Sequence, residues 1–549
     1  MYTLDTETSN DGRKAWVWSW ALCDEQLRTV DGNGLDLIRQ LTRLPHGSEV
    51  WVHNLDYDGE FLFYALIRDG YRLTYDVYPR DRHHAIFTML CDLQGIVSME
   101  IWTKGRRIIL RDSNRIFRRP LRDLPRLCGF EGDVTKGELN YDTFRAPDHV
   151  MTPAERDYQL RDVIVLMRAM QWLRAVCKQG NTIGAIALSE FRATLGNKSP
   201  FTPLTLDDRK ALRSLYSGGI VYCPPRIVGR RLEVSGNVYD ANSMYPTQMM
   251  TELPVAVKEW TSGEHRGSGC RAFHVLARGL HLRRDGFPLI ITPFTGSARE
   301  TIDVLDKWIF DGELDAIREE YDVETMEIAE TITFDVAAFA APYTEKWYAI
   351  KQLNDERREH AKMLLNNLTG KLAENAIHEQ VRREVIDGSG AYENYRYNEI
   401  DDTVNKWLFM PATARITSQS RLMLREAAIT AGRDKLLYTD TDSIHTTGSL
   451  PGRMIDDARL GAWKCENRFD AAMYVKPKSY YEELCGEVQK CKHAGLNNDA
   501  TLGVYDGDDL IDTGEVIGPA NMRPGAIYFT RQSRACDGGV IIERRPKRM

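Results

Sequence analysis

Apolar and polar positions along this chain switch repeatedly between a period of two and a period near 3.6, the marks of strands and helices. Trp16-Val17-Trp18-Ser19-Trp20-Ala21-Leu22 alternates, and Ser48-Glu49-Val50-Trp51-Val52-His53 runs into a turn, so residues 1–65 predict strand, strand and helix. From Pro153 to Cys177 the positions Leu160, Val163, Ile164, Leu166, Met167 and Met170 keep helical spacing, and the helix ends near Gln179-Gly180. A second unit begins about Asn181, with Ile183 to Leu195. Residues 256–345 read as a separate mixed subdomain, and Glu345 to Asn375 as a long polar helix followed by an apolar one. The Gly/Asn/Tyr-rich passage Ile386 to Asn398 predicts a hairpin. No internal repeat or low-complexity segment breaks the alternation.

Composition narrows the class without naming a chemistry. The 549 residues leave room for several domains, and 43% hydrophobic with 28% charged residues describes an ordinary soluble protein. No apolar stretch is long enough to span a bilayer, and Met1-Tyr2-Thr3-Leu4-Asp5 lacks a signal-peptide pattern; cytoplasmic residence is the expectation. The ten cysteines are scattered, with no C-x-x-C pair, and read as reduced thiols. A net charge of −7 gives no coat of basic surface, yet its distribution is uneven. Lys104, Arg106, Arg107, Arg111, Arg115, Arg118, Arg119, Arg122 and Arg126 face only Asp112 and Asp123, interleaved with Ile108, Ile109, Leu110, Ile116 and Phe117. A structured basic stretch of this kind favours phosphate contact. The run Glu543-Arg544-Arg545-Pro546-Lys547-Arg548-Met549 reads equally as a frayed tail or a contact surface.

Carboxylates carry the chemistry. In Asp5-Thr6-Glu7 two acids at i and i+2 share one face of a strand. Asp58 follows in His53-Asn54-Leu55-Asp56-Tyr57-Asp58, and Tyr158 and Asp162 lie one helical turn apart. Four acids from three elements can hold two divalent ions about 4 Å apart, one activating water and one steadying the leaving oxygen of a phosphodiester. Tyr158 would orient the water. The order D-x-E, N-x-x-x-D, Y-x-x-x-D resembles a 3′→5′ exonuclease of the DnaQ-like kind.

A second acid set lies downstream. Tyr438-Thr439-Asp440-Thr441-Asp442-Ser443-Ile444-His445 places two carboxylates on one strand face or across a tight hairpin tip. Alone, Asp-x-Asp is a common solvated turn. Val238-Tyr239-Asp240-Ala241-Asn242-Ser243-Met244-Tyr245-Pro246 adds a third acid at a strand end, with the Ala241 carbonyl as a backbone ligand. Asp240 and Asp442 would bind the metal pair, and Asp440 would complete the charge balance nearby. Tyr245 would lie under a nucleotide sugar, where a 2′-hydroxyl collides with its ring. Lys351, Arg358, Lys362 and Asn366, at spacings of 7, 4 and 4, predict one cationic helical face for a triphosphate. A solvated helix paired with Glu345, Asp355, Glu356 and Glu359 is the competing reading of residues 345–360.

Taken in order, D-x-x-S-x-Y-P, K-x-x-x-N-x-x-x-G and Y-x-D-T-D-S resemble motifs A, B and C of family B DNA polymerases. Tyr216-Ser217-Gly218-Gly219 is similar to the Y-x-G-G link between editing and synthesis, with Tyr216, Gly218 and Gly219 as DNA contacts. Lys478-Ser479-Tyr480 is similar to the K-x-Y motif that grips the primer terminus, and Arg415 resembles a template- or primer-binding arginine. Lys136 in Lys136-Gly137-Glu138 matches a lysine assisting exonuclease chemistry, and Glu138 stands where the family often has Asp near a metal. His53, Asn54, Tyr57, Phe61 and Ser113, with Trp51, would meet a frayed single strand. Two positions depart from the pattern: Thr369 replaces the usual motif B tyrosine, and Asn114 stands after Ser113 where leucine is usual.

The D-x-E motif begins at residue 5, leaving no room for the N-terminal domain of RNA-primed relatives, and so resembles the protein-primed branch of phages and linear plasmids. That resemblance implies an α/β and α+β multidomain fold: an RNase H-like exonuclease, then a right-hand polymerase with two insertions. Expected boundaries are 1–182 exonuclease, 183–255 and 404–493 palm, 256–337 first insertion, 338–373 fingers, 374–403 second insertion and 494–549 thumb. It further implies two Mg2+ or Mn2+ ions per site, template and primer DNA, dNTPs, a terminal protein as primer, and a monomer or a heterodimer with that protein. A compact polymerase starting from RNA or DNA primers, a nuclease with a decayed polymerase module, and a non-catalytic DNA-binding replication factor are the alternatives.

Overall fold

The computed structural model describes residues 1–549 apart from 79–82, 133–138, 141–142, 292–296, 354, 376, 387–389, 401–404, 497–498 and 538. Its N-terminal third is organised by Tyr2–Asn10, which pairs antiparallel with Ala15–Asp24 and parallel with Ser48–Val52. Beyond Ser48–Val52 come Arg106–Asp112 in parallel, then Gly95–Thr103 and Ile86–Asp92 antiparallel. Strand alternation sends Leu4, Trp20 and Leu22 to the side covered by helix Leu55–Arg68. It sends Ala21 and Cys23 to the other side, against Val163 and Met167 of helix Pro153–Val176.

This sheet does not stop at the expected module boundary. At one end Ile86–Asp92 takes the hairpin Ile377–Val385/Tyr392–Ile400 through the pair Val381 and Cys91. At the other, Ala15 pairs with Val540, and the sheet continues through Gly539–Arg548, Ile527–Cys536, Thr501–Asp506 and Asp509–Val516. Both late segments meet on one carboxylate. Glu60, 3% exposed on the helix between them, receives Arg383 at 2.5 Å, the Tyr392 hydroxyl at 3.1 Å and the backbone N–H of Ala535 at 2.9 Å.

The remaining modules surround a five-stranded antiparallel sheet, in the order Trp463–Phe469, Gly236–Ala241, Ser443–Thr446, Leu436–Asp440 and Val221–Tyr222. Helix Met410–Ala431 packs against it. A four-stranded sheet, Arg231–Leu232, Ala471–Lys476, Ser479–Leu484 and Glu487–His493, stands alongside. Leu253–Ser262, Tyr321–Ala337, Cys270–Leu282 and Thr301–Phe310 form a further four-stranded sheet, with helix Asp311–Glu320. That unit is anchored by the buried pair Arg421–Glu313 at 2.7 Å, whose guanidinium also donates to the carbonyls of Ser217 and Gly218 at 2.8 Å.

Three local expectations change. The polar and apolar helices are Ala341–Gln352 and Arg357–Leu372, and the chain turns extended at Leu353 between them, so Lys351 does not share a helical face with Arg358, Lys362 and Asn366. The hairpin begins at Ile377, nine residues before the passage that signalled it, because Gly390 lies between its strands rather than within one. The basic C-terminal run is no frayed tail: it is the strand Gly539–Arg548, paired along its length with Ile527–Cys536. Among the described residues no helix is long and apolar enough to cross a membrane.

Candidate active sites

Asp5 and Glu7 point from one face of their strand toward helix Pro153–Val176, and with Asp162 they bring three ligand oxygens within 4.8 Å of one another. The helix is fixed for this by a capping box, Thr152 and Glu155, and by Thr3 Oγ1 donating to the Val163 carbonyl at 2.8 Å. Tyr158, one turn before Asp162, is 3% exposed. Asp58 falls outside the trio. It belongs to the helix on the opposite face of the strand, where the Thr6 hydroxyl donates to it. Strand alternation is the reason: Thr6 faces away from its two acidic neighbours.

Around this cluster the single-strand candidates divide. Asn54, exposed and at φ 72°, donates its N–H to Asp112, and His53 lies 3.0 Å from Ser113 Oγ and 2.8 Å from the Arg119 carbonyl. Tyr57 is half-buried, with its hydroxyl 2.8 Å from Thr8 Oγ1. Phe61, Trp51 and Ser113 are buried at 4%, 4% and 0% exposure and offer no surface to a strand in this state. Lys136 and Glu138 lie outside the described residues. The basic stretch before them is structured, but Arg107, Arg111, Arg115 and Arg119 are held by Glu100, Glu49, Asp92 and Glu359 respectively. Arg118, Arg122 and Arg126 are exposed.

The second acid set is assembled by register. Asp240 lies opposite Ser443, and Ser443 opposite Asp440, so the acids of three neighbouring strand ends meet. Thr441 turns the tip at φ 66°, and the Ala241 N–H donates to the Asp442 carbonyl at 2.8 Å. Burial, with Asp240 and Asp440 nearby, pushes the Asp442 carboxyl up to about 6; burial likewise raises Asp240. Three crowded carboxylates at the edge of an apolar core are a hard-oxygen donor set short of positive charge, which fits divalent ions. Part of that charge comes from lysines: Lys478 bonds Asp440, Lys492 lies 3.8 Å from it, and Lys464 lies 3.4 Å from Asp240. Neither Lys464 nor Lys492 belongs to a recognised motif. Only the strand pairing brings them here.

The link segment packs directly on the acidic tip. A Cβ on Gly219 would stand 2.6 Å from Thr441 Cγ2 and 3.0 Å from its Cα, so only glycine allows this approach. The Thr441 N–H donates to the Ile220 carbonyl at 2.7 Å. Burial pushes the phenol of the adjacent Tyr245 up to about 12, and Tyr216 lies close by. Gly218 has open space around it.

Arg358, Lys362, Asn366 and Gly370, each four apart, form one exposed face of helix Arg357–Leu372. Lys351 reaches the same space from the neighbouring helix, its ammonium 2.5 Å from Ser243 Oγ. Burial, then Lys362, Lys464 and Arg358, lower its pKa to about 8. Thr369 is 3% exposed and bonds the Asn366 carbonyl, so a ring in its place would have to displace packed neighbours. Arg415 is paired with Asp311 at 3.1 Å and stacked on Phe310. Tyr480 is 1% exposed, inside the core beneath Lys478.

Against known proteins, residues 130–450 match the model of DNA polymerase type B, organellar and viral. The chain is 25% identical over 524 residues to the DNA polymerase of Bacillus phage M2, covering 89% of each chain. It is 26% identical over 516 residues to that of Bacillus phage phi29, covering 88% of this chain and 86% of the relative. Among solved structures, phi29 DNA polymerase with primer-template DNA and incoming nucleotide superposes at a TM-score of 0.83 with 22% identity, over 100% of this chain and 99% of that one. The same polymerase with single-stranded DNA also gives 0.83 at 22% identity, over 100% of this chain and 99% of that one. The expected multidomain architecture, exonuclease domain and polymerase, is therefore the fold observed. The chain belongs to the type B DNA polymerases of the organellar and viral kind.

Proposed function

We propose that this DNA polymerase copies a template at the Asp240/Asp440/Asp442 site, edits 3′ ends at the Asp5/Glu7/Asp162 site, and starts synthesis on the hydroxyl of a terminal protein. The observation that carries the two-site reading is the separation of two acid clusters on different sheets, each with its own polar surroundings. Asp240, Asp442 and the Ala241 carbonyl would hold one pair of Mg2+ or Mn2+ ions, and Asp5, Glu7 and Asp162 a second pair, with Asp58 joining once released from Thr6. Such ions polarise the attacked phosphate and stabilise the attacking and leaving oxygens. Lys351, Arg358, Lys362 and Asn366 orient the triphosphate, and Tyr245 sets the floor beneath the sugar. Tyr158 orients the hydrolytic water at the editing site. Template, primer strand and dNTPs are the ligands, with the terminal protein as macromolecular partner and the host cytoplasm as the place of action. The solved phi29 polymerase complexes, with primer-template DNA and with single-stranded DNA, support both DNA modes.

Primer extension and degradation on one labelled primer-template test the two sites together. Asp442→Ala abolishes extension and leaves degradation intact; Asp5→Ala with Glu7→Ala does the reverse. Loss of both activities in either variant contradicts separate sites. Priming is tested by incubation with the cognate terminal protein and one labelled nucleotide, where a covalent nucleotidyl-protein is expected. An enzyme that starts only from oligonucleotides rules priming out and leaves the two-site reading standing.

A further inference from the structure

Beneath the acidic tip lies a close polar contact that the recognised motifs leave without a role. His445, three residues after Asp442, has no exposed surface, and its Nδ1 lies 2.5 Å from Glu482 Oε1, which is equally buried. The approach is short without being an aligned hydrogen bond, and Nδ1 is shared with the Tyr474 hydroxyl at 3.2 Å. The other Glu482 oxygen accepts from Asn467 Nδ2 at 3.0 Å. Tyr438, Tyr474 and Tyr480 enclose the imidazole with ring centroids at 5.0, 5.6 and 5.1 Å.

The position of this pair is what gives it meaning. His445 and Asn467 belong to the five-stranded sheet that carries Asp240 and Asp440; Glu482 belongs to the neighbouring sheet, four residues after Lys478. Glu482 therefore collects two polar side chains from one sheet onto the strand that delivers a lysine to that sheet's acids. A second tie runs in parallel. The Tyr438 hydroxyl accepts the backbone N–H of Lys478 at 2.7 Å, and Lys478 itself is held at φ 61°. Both ties converge on one result, the Lys478 ammonium seated on Asp440. A buried polar pair contributes little net stability compared with apolar side chains of the same volume, because desolvation offsets the attraction. What it adds over an apolar pair is direction.

We infer that His445 and Glu482 are positioning residues for nucleotidyl transfer, setting the distance between the two sheets so that Lys478 neutralises Asp440 and leaves Asp240 and Asp442 to hold the metal pair. This rests on the reading of those acids as the synthesis site. With Lys478 displaced, Asp440 keeps only the more distant Lys492, 3.8 Å away, to offset its charge beside the other two acids, and the three-acid geometry relaxes.

Single-turnover primer extension at varied dNTP tests it with Glu482→Gln, Lys478→Ala and the double variant, and with degradation of single-stranded DNA on the same preparations. Glu482→Gln is expected to lower the maximal extension rate about 10–100-fold, the range seen for residues that orient metal ligands, with a smaller change in KM and unchanged degradation. The double variant is expected to be no slower than Lys478→Ala alone, since Glu482 acts through that lysine. Losses that multiply in the double variant overturn the inference, as does a Glu482→Gln enzyme that extends normally. The apolar pair His445→Phe with Glu482→Leu gives a second route if the single variant folds poorly. It should fold, degrade and extend slowly, and normal extension by it would sink the positioning role. A wild-type chain that degrades but never extends removes the synthesis-site reading itself, an outcome distinct from multiplying losses.

Discussion

Lys351 shows how a side chain can be legible in kind and wrong in place. Its identity announced a phosphate-binding cation, yet the spacing that set it on a helical face with Lys362 fails at Leu353. It reaches the space beside Lys362 by packing of one helix beside another, and burial among other cations lowers its pKa to about 8. On the proposed role only the protonated form binds triphosphate, so KM for dNTP should rise as pH passes 8, and Lys351→Arg, which keeps its charge, should flatten that limb. Steady-state KM measured from pH 7 to 9.5 checks this; an unchanged alkaline limb in the arginine variant would count against it. The acids were readable because Asp-x-Glu and Asp-x-Asp carry their geometry in two-residue spacing. Lys464, Lys492 and Glu482 were not, since each reaches the site only through strand pairing between segments far apart in sequence.

Among the elements, helix Pro153–Val176 is the clearest case of local sequence setting function. Its capping box Thr152–Glu155 and apolar spacing fix where it starts and which face it buries, and Tyr158 and Asp162 follow from that. Glu155 gathers Thr152, Arg145 and His149. Burial alone would raise its carboxyl, but the hydrogen bonds from His149, Thr152 and Arg145 prevail and bring it down to about 2. A depressed carboxylate stabilises the fold above its unfolded pKa and ceases to do so as pH falls through the folded value. Acid titration followed by circular dichroism should show this contribution lost between about pH 4.5 and 2. Glu155→Gln should flatten that window, and an identical acid limb in the variant would contradict the assignment. The hairpin Ile377–Val385/Tyr392–Ile400 was harder to read. Its strands are polar and charged along much of their length, so the turn residues spoke and the strands did not.

For the whole molecule the deciding feature is Glu60, where three parts of the chain meet on one carboxylate. Removing its charge leaves Arg383 buried without its partner, a change that typically costs about 3 kcal/mol or more. Glu60→Gln should accordingly bring in a separate, earlier thermal transition as the hairpin and the C-terminal strands leave the sheet, while the five-stranded sheet melts later. A single unshifted transition would show that the seams hold without it. No periodicity could have revealed this node, because a glutamate two residues after Asp58 on an amphipathic helix reads as an ordinary polar position.

The shared sheet also fixes an order of events in biosynthesis. Tyr2–Asn10 is made well before the neighbours that extend its sheet on both sides, Ile377–Val385 and Gly539–Arg548. Until then Ala15–Asp24 and Ile86–Asp92 offer open edges along part of their length, the arrangement most prone to pairing with another chain. A nascent chain of this protein must therefore wait, an early sheet finished by late strands, and slow or truncated synthesis would fall hardest on the part that was made earlier.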